Sequence, residues 1–437
     1  MTPPDLLHIS PVIKIITVFS GILIANGCKL PLGLALIAGG IIMDLWAGNG
    51  VPLVVTDFFH SLAAPDLWLL VINIALILEF GYFMTTEENS RTLIAAAGRL
   101  GGRHGRAVSL ILIPLTIGLV PMPGGALFSA PLVGKAVASR DVPAAWKVAV
   151  NYWFRHVLEY WWPLYPVIII SLSIFSLPVW KFMLLQVTFT FVSIGAGWFF
   201  LVRPHLPQLL DGEPPSTSGS TGRLPVVLTP LLLIVVCTML LPIPTTHQWP
   251  GLSPSVHKLL GMFTGLVLGI IFIASFNGDR RDLHLFHHLI SRKTANILLV
   301  LAGAMIFQAM LRSSGLLPAA GRELSSLVIP VELIIAFLPF LAGLVTGVAI
   351  GFGATSFPLV IGLATPATGL SEAAVLILAF TMGYAGMMLS PIHLCYILTR
   401  RYFTVKPLAA YRYLVPCVIT VMAYGLLFHM LVRRAGW

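Results

Sequence analysis

Apolar runs joined by loops too short to fold on their own dominate this chain of 437 residues. Lipid offers a backbone no hydrogen-bond partner, so a crossing segment must be helical and needs about 20 apolar residues at about 1.5 Å of rise each. Runs that qualify, the shorter ones by letting their ends reach the interface, are Val12–Asn26, Pro31–Trp46, Trp68–Met84, Trp180–Val202, Leu224–Leu241, Leu259–Phe276, Ile297–Arg312 and Leu414–Leu431. With 57% apolar and 10% charged residues and a mean hydropathy of +0.94, the chain has too little polar surface to coat a soluble globule. The longest polar stretch, Arg203–Arg223, is one linker long. The sequence therefore describes an all-α polytopic membrane protein.

Several function classes drop out on the same evidence. The start "MTPPDLLHIS" carries no Lys or Arg before Lys14, so the first helix is expected to stay rather than be cleaved as a signal peptide. Cys28, Cys237, Cys395 and Cys417 form no CxxC pair and read as packing residues, with no metal expected. The net charge of +10 is spread over short loops, which speaks for topology and against nucleic acid. No GxxxxGK[ST], HExxH or GxSxG motif occurs, so neither ATP coupling within the chain nor an enzyme is expected.

Two regions do not parse as simple spans. In "GLVPMPGGALFSAPLV", Pro121, Pro123, Gly124 and Gly125 interrupt an apolar run. The flanks Val108–Val120 and Leu127–Ser139 would each be helices about 20 Å long, too short for about 30 Å of hydrocarbon. They read as a re-entrant hairpin that turns at "PMPGGA". The segment Pro339–Val360 aligns with Pro114–Val133 if it carries two extra residues: Gly118, Leu119, Val120, Ser129 and Pro131 meet Gly343, Leu344, Val345, Ser356 and Pro358. A second hairpin is expected there, turning at "GVAIGFGATS". A long helix with an interruption follows each hairpin, and aligning Pro163 with Pro391 sets Arg155–Trp162 beside Gly383–Ser390 as the unwound points. Two readings of these breaks are open: kinks with glycines for helix packing, or irregular backbone that lines a site.

Loop charge sets the relation between the halves. Arg91, Arg99, Arg103 and Arg106 follow Trp68–Met84, and the loop before it has no Lys or Arg. In the second half Arg280, Arg281, Arg292 and Lys293 precede Ile297–Arg312, and only Arg322 lies in the loop after it. Arg-rich loops are cytoplasmic, so equivalent loops fall on opposite sides and the repeats are inverted, with both termini outside. The division is 1–202, linker 203–223 and 224–437.

Inverted repeats, each with a hairpin and a broken helix, resemble the ion-transporter superfamily of secondary carriers, which includes divalent-anion/sodium symporters, gluconate permeases and arsenite permeases. The run "PMPGGALFSAPLV" is similar to that of a prokaryotic membrane family in this group, domain of unknown function 401. The resemblance covers nearly the whole chain in architecture and only the hairpins in motif. It implies an elevator-type transporter of the inner membrane, a homodimer through scaffold helices in 10–84 and 224–312. Hairpins 108–140 and 331–369 and broken helices 142–177 and 371–400 would carry the cargo, and each half would end in a further helix, 180–202 and 412–433. The dicarboxylate carriers have paired Ser-Asn-Thr hairpin tips; here only Thr355-Ser356 matches them.

Intramembrane polar residues supply the candidate site. Arg155, His156 and Glu159 sit in "NYWFRHVLEYWW" with Asn151 one turn earlier. Charge inside a bilayer is costly, so these groups face a partner or a cavity. Either Arg155 and Glu159 pair at i, i+4 and pin the break, or Arg155 forks onto a carboxylate or phosphate. Candidate substrate contacts are Gly124, Gly125, Ser129, Asn151, Arg155, Gly351, Gly353, Thr355, Ser356, Ser390 and His393, and candidate coupling groups are Glu79, His156 and Glu159. Glu79 aligns with Gln308 and could instead snorkel, while His284, His287 and His288 read as a membrane-surface helix rather than a metal site. The expected function is secondary active transport of a small organic or inorganic anion, coupled to sodium or protons, with no cofactor beyond a sodium ion. The alternatives are a cation/proton antiporter and a flippase for a lipid-linked phosphate.

Overall fold

The structure is a computed structural model that describes residues 9–84, 89, 92, 105–119, 125–138, 140–210, 222, 224–276, 292–326, 330–364 and 368–436. The described residues contain helices and connections and no strand. Counting helices of nine residues or more, the first half comprises α1 Pro11–Gly27, α2 Leu32–Trp46, α3 Val51–Ala63, α4 Pro65–Met84, α5 Gly105–Gly118, α6 Ala126–Ala136, α7 Ala144–His156, α8 Pro166–Ile174 and α9 Val179–Gly197. The second comprises α10 Leu224–Leu240, α11 Pro254–Phe276, α12 Arg292–Ser313, α13 Leu316–Ser326, α14 Val331–Thr346, α15 Ala349–Ile361, α16 Glu372–Met388, α17 Leu394–Tyr402 and α18 Tyr411–Arg434. Among the described residues five helices are long and apolar enough to cross a membrane, or six if α3 and α4, bent by 46° at Ala64, count as one span.

Local chemistry sets the helix ends. Ser10 caps α1 by accepting from the Ile13 amide at 3.3 Å, with Pro11 at the first helical position. Ser371 does the same for α16 through the Ala374 amide at 3.2 Å, and Glu372 in the first turn complements the helix dipole. Gly347, at φ 64°, ends α14 in the left-handed conformation.

Two sets of helices pack in a recurring pattern. In one, α2 lies along α12 and α11 along both α4 and α10. The α2–α12 crossing is backbone to backbone: a Cβ on Gly33 would strike the carbonyl of Leu299, and one on Gly303 the carbonyl of Gly33. In the other set, each hairpin packs on its own broken helix, α5 on α7 and α14 on α16. The second helix of each hairpin also reaches the other half, α6 against α17 and α15 against α8.

The irregular elements differ in detail from the sequence reading. The first hairpin's tip, including Gly124, lies outside the described residues, as does the cluster His284, His287 and His288. The second hairpin turns at Gly347 and Val348, and Gly351, Gly353, Thr355 and Ser356 are already helical in α15. One left-handed glycine is enough to end α14; the later glycines serve close packing, since a Cβ on Gly351 would meet the Thr346 side chain and one on Gly353 would lie 2.8 Å from Val167. The second broken helix runs unbroken through Gly383 and Gly386 to Met388, so its break is Leu389–His393. The first breaks after His156 and resumes at Pro166.

The α2–α12 crossing predicts that Gly303→Ala lowers stability by about 1–3 kcal/mol, since the added methyl must push the paired backbones apart. Gly21→Ala, where a Cβ meets nothing within 4 Å, should not lower it. Thermal unfolding of the purified protein in detergent compares the two.

Candidate functional site

Each hairpin is pinned to a helix break by a matching contact. A Cβ on Gly118 would strike the carbonyl oxygen of Arg155, so α5 crosses the break of α7 at backbone distance. The carbonyls that α5 leaves unpaired at its end are taken up from the break: Tyr165 Oη donates to Gly118 O at 2.6 Å and Trp162 Nε1 to Leu119 O at 2.8 Å. In the second half a Cβ on Gly343 would strike the carbonyl of Gly383, and Ser390 Oγ donates to Leu344 O at 2.7 Å. Gly118 aligns with Gly343, Leu119 with Leu344, Arg155 with Gly383 and Trp162 with Ser390, so the contacts correspond position for position.

The two breaks also meet each other. Tyr384 Oη donates to the carbonyl of His156 at 2.9 Å, and Tyr152 Oη to that of Met388 at 3.3 Å. The rings of Tyr160 and Tyr384 lie 4.1 Å apart between centroids. Asn151 Nδ2 donates to Ala126 O at 3.2 Å and to Thr399 Oγ1 at 3.0 Å, which ties α7 to the start of α6 and to α17. The carbonyl ends of α7 and α16 are thus engaged by tyrosines.

The amide ends are not engaged in that way. A cavity of about 160 Å³ lies between the breaks, the second hairpin tip and α4. The first residues of three helices line it: Pro166 and Val167 of α8, Ala349 and Ile350 of α15, and Cys395 of α17. None of the three has a side-chain cap. Arg155, His156 and Glu159 line the same space, with His156 Nε2 3.8 Å from Glu159 Oε1. All three are buried. Helix amide ends carry partial positive charge, and with Arg155 they make the cavity a favourable place for an anion.

Of the residues singled out in the sequence, Arg155, His156, Glu159 and His393 come together here. Because α7 stops at His156, Arg155 and Glu159 do not share a helical face, though both line the cavity, and the Glu159 carboxylate lies 3.8 Å from His156 Nε2. Ser390 holds the hairpin, and Asn151 ties helices. The hydroxyls of Ser129, Thr355 and Ser356 are buried and bond to carbonyls of their own helices, at 3.4, 2.7 and 2.6 Å. Gly125 is buried at the start of α6. Glu79 is buried in α4, and Gln308 is buried in α12.

Sequence reasoning missed Cys395, which lines the cavity beside His156 and His393. The available signal was local: "SPIHLC" sets His393 and Cys395 at the start of a helix after a Ser-Pro break.

These features define a class: an all-helical, multi-pass membrane protein in which two interrupted helices meet, each braced by a helical hairpin. The chain belongs to the family described as protein of unknown function DUF401, which matches residues 10–432. No curated protein matches it. Among solved structures it is similar to the YdaH transporter of Alcanivorax borkumensis, described as having an unusual topology, with a TM-score of 0.56 over 88% of each chain and 14% identity. That likeness is one of fold.

The pinning contacts predict that Trp162→Phe and Ser390→Ala each destabilise the protein by about 1–3 kcal/mol, by leaving a helix-end carbonyl without its donor. Thermal unfolding of both variants, set beside Ser275→Ala on an exposed helix face, measures the effect.

Proposed function

We propose that the protein is a secondary active transporter of a small organic or inorganic anion, coupled to sodium or protons. The carrying observation is the convergence of three helix amide ends without side-chain caps and of Arg155 on one cavity, while tyrosines occupy the opposing carbonyl ends. A cavity of about 160 Å³ suits a small solute, and drug-sized ligands commonly need about 300 Å³ or more. Arg155 is the group that forks onto a carboxylate or phosphate, and Glu79, His156 and Glu159 are the groups available to a coupling ion.

The matched contacts at Gly118 and Gly343 support two repeats, 1–202 and 224–437. The loop charges support their inversion, with both termini outside a prokaryotic inner membrane. On this reading the ion-transporter superfamily is the wider group. The hairpins and broken helices move as the cargo-bearing unit against a dimeric scaffold of α2, α4, α11 and α12, in the elevator manner. A lipid-linked phosphate would use the same Arg155 and amide ends, and it remains the second reading for that reason.

A thermal-shift screen of purified protein against carboxylates, sugar acids, phosphonates, phosphate and lipid phosphates, with and without sodium and across pH, tests the proposal. One anion class should stabilise the wild type. Arg155→Lys should weaken that binding at least about tenfold, roughly 1.4 kcal/mol, because the charge stays and the planar fork is lost. Arg155→Gln should abolish it. If Arg155→Gln with Glu159→Gln binds the anion as well as wild type, Arg155 has only a structural role.

A further inference from the structure

The same cavity carries a second arrangement, which stands whether or not an anion is the cargo. The ligand atoms of His156, His393 and Cys395 all lie within 4.8 Å of one another, and all three residues are buried. His156 ends α7 in the first half of the chain; His393 and Cys395 open α17 in the second.

One tautomer in this cluster is fixed by its hydrogen bond. His156 Nδ1 lies 2.6 Å from the carbonyl oxygen of Tyr152, and a carbonyl only accepts, so Nδ1 carries the hydrogen. In the neutral ring Nε2 then presents a lone pair, and it faces Glu159 Oε1 at 3.8 Å. His393 Nδ1 is buried without a hydrogen-bond partner. Two imidazoles, a thiol and a carboxylate share this small volume with Arg155, and once the thiol has lost its proton both imidazoles and the sulfur can each present a lone pair to it. An imidazole that donates its remote N–H to a backbone carbonyl is also the usual state of a metal-ligating histidine, since that bond fixes the tautomer and raises the basicity of the other nitrogen.

We propose that His156, His393 and Cys395 bind a thiophilic transition-metal ion of the zinc and copper(I) class, bridging the two interrupted helices. Two imidazoles and a thiolate suit such ions, and hard cations such as Mg²⁺ and Ca²⁺ prefer oxygen. Bonds of about 2.0–2.3 Å set tetrahedral donors about 3.3–3.8 Å apart, so the cluster must contract by about 1 Å. All three donors sit at helix ends, and side-chain rotation would supply that adjustment. Binding releases the thiol proton. The Cys395 thiolate and the Glu159 carboxylate together offset Arg155 and one charge of a divalent ion. Three protein ligands leave the fourth position open to the cavity, where an anion completes both the coordination and the charge balance.

Cobalt(II), a coloured stand-in for zinc, tests this on the purified full-length protein. One equivalent should give a near-ultraviolet thiolate-to-cobalt band together with the visible bands of four-coordinate cobalt, and Zn²⁺ should displace both. Cys395→Ser should remove the thiolate band, and His393→Ala should weaken metal binding at least tenfold. Cys237→Ser and the triple change His284→Ala, His287→Ala, His288→Ala should alter neither. A measurement on the wild type alone guards against misfolded variants: Zn²⁺ should protect Cys395 from a small methanethiosulfonate reagent, read by mass spectrometry. A folded wild type with no thiolate band, a band that survives Cys395→Ser, or labelling of Cys395 that Zn²⁺ leaves unchanged would each overturn the site.

Discussion

Every helix that stops inside a bilayer strands carbonyl and amide groups where no water can reach them, and this architecture depends on how those groups are satisfied. The protein answers with close backbone crossings and a few polar side chains. Gly118 and Gly343 let each hairpin approach a broken helix at the carbonyls of Arg155 and Gly383, and Trp162, Tyr165 and Ser390 then reach the exposed ends of α5 and α14. At the far end of α8, Lys258 donates to the carbonyls of Leu172 and Phe175 at 3.1 and 2.9 Å, and Glu372 accepts the next free amide, that of Ser176, at 2.6 Å. The breaks are therefore built features, held from both the hairpins and the scaffold.

What this leaves over is asymmetric, and the asymmetry makes a site. Tyrosines 152 and 384 take carbonyls at the ends of α16 and α7, while the amide ends of α8, α15 and α17 open on the cavity with no side-chain cap. Positive potential from three helix ends and one arginine meets a carboxylate, two imidazoles and a thiol in one cavity. On the proposals above, a small anion and a soft cation would be complementary occupants of such a space rather than competitors, since each would neutralise what the other leaves.

The apolar runs were legible in the sequence because length and hydropathy are local properties: α1, α2, α4, α9 to α12 and α18 fall on the runs read there, though α1 and α2 are shorter than the spanning helices. The alignment was legible too, and its pairs Leu119 with Leu344 and Trp162 with Ser390 make equivalent hydrogen bonds in the structure. Turn positions were less so. "GVAIGFG" offers three glycines, and only the conformation of the chain shows that Gly347 makes the turn while Gly351 and Gly353 pack. The i, i+4 pairing of Arg155 with Glu159 assumed a helix that in fact ends at His156. Cys395 was read as a packing residue because "SPIHLC" sets it only beside His393, and the nearness of His156, from the other half of the chain, appears only in the fold.

A transport site in the cavity between the two breaks must open to each side of the membrane in turn. Val348, at the second hairpin tip, lines it. Val348→Cys, treated with a membrane-impermeant thiol reagent in right-side-out and in inverted vesicles and read at that position by mass spectrometry, measures access directly. The account predicts labelling from both sides, and loss of labelling from one of them when the chain is locked by a cross-link between the hairpin and the scaffold. Labelling from one side only, unchanged by any anion that binds the protein, would contradict it.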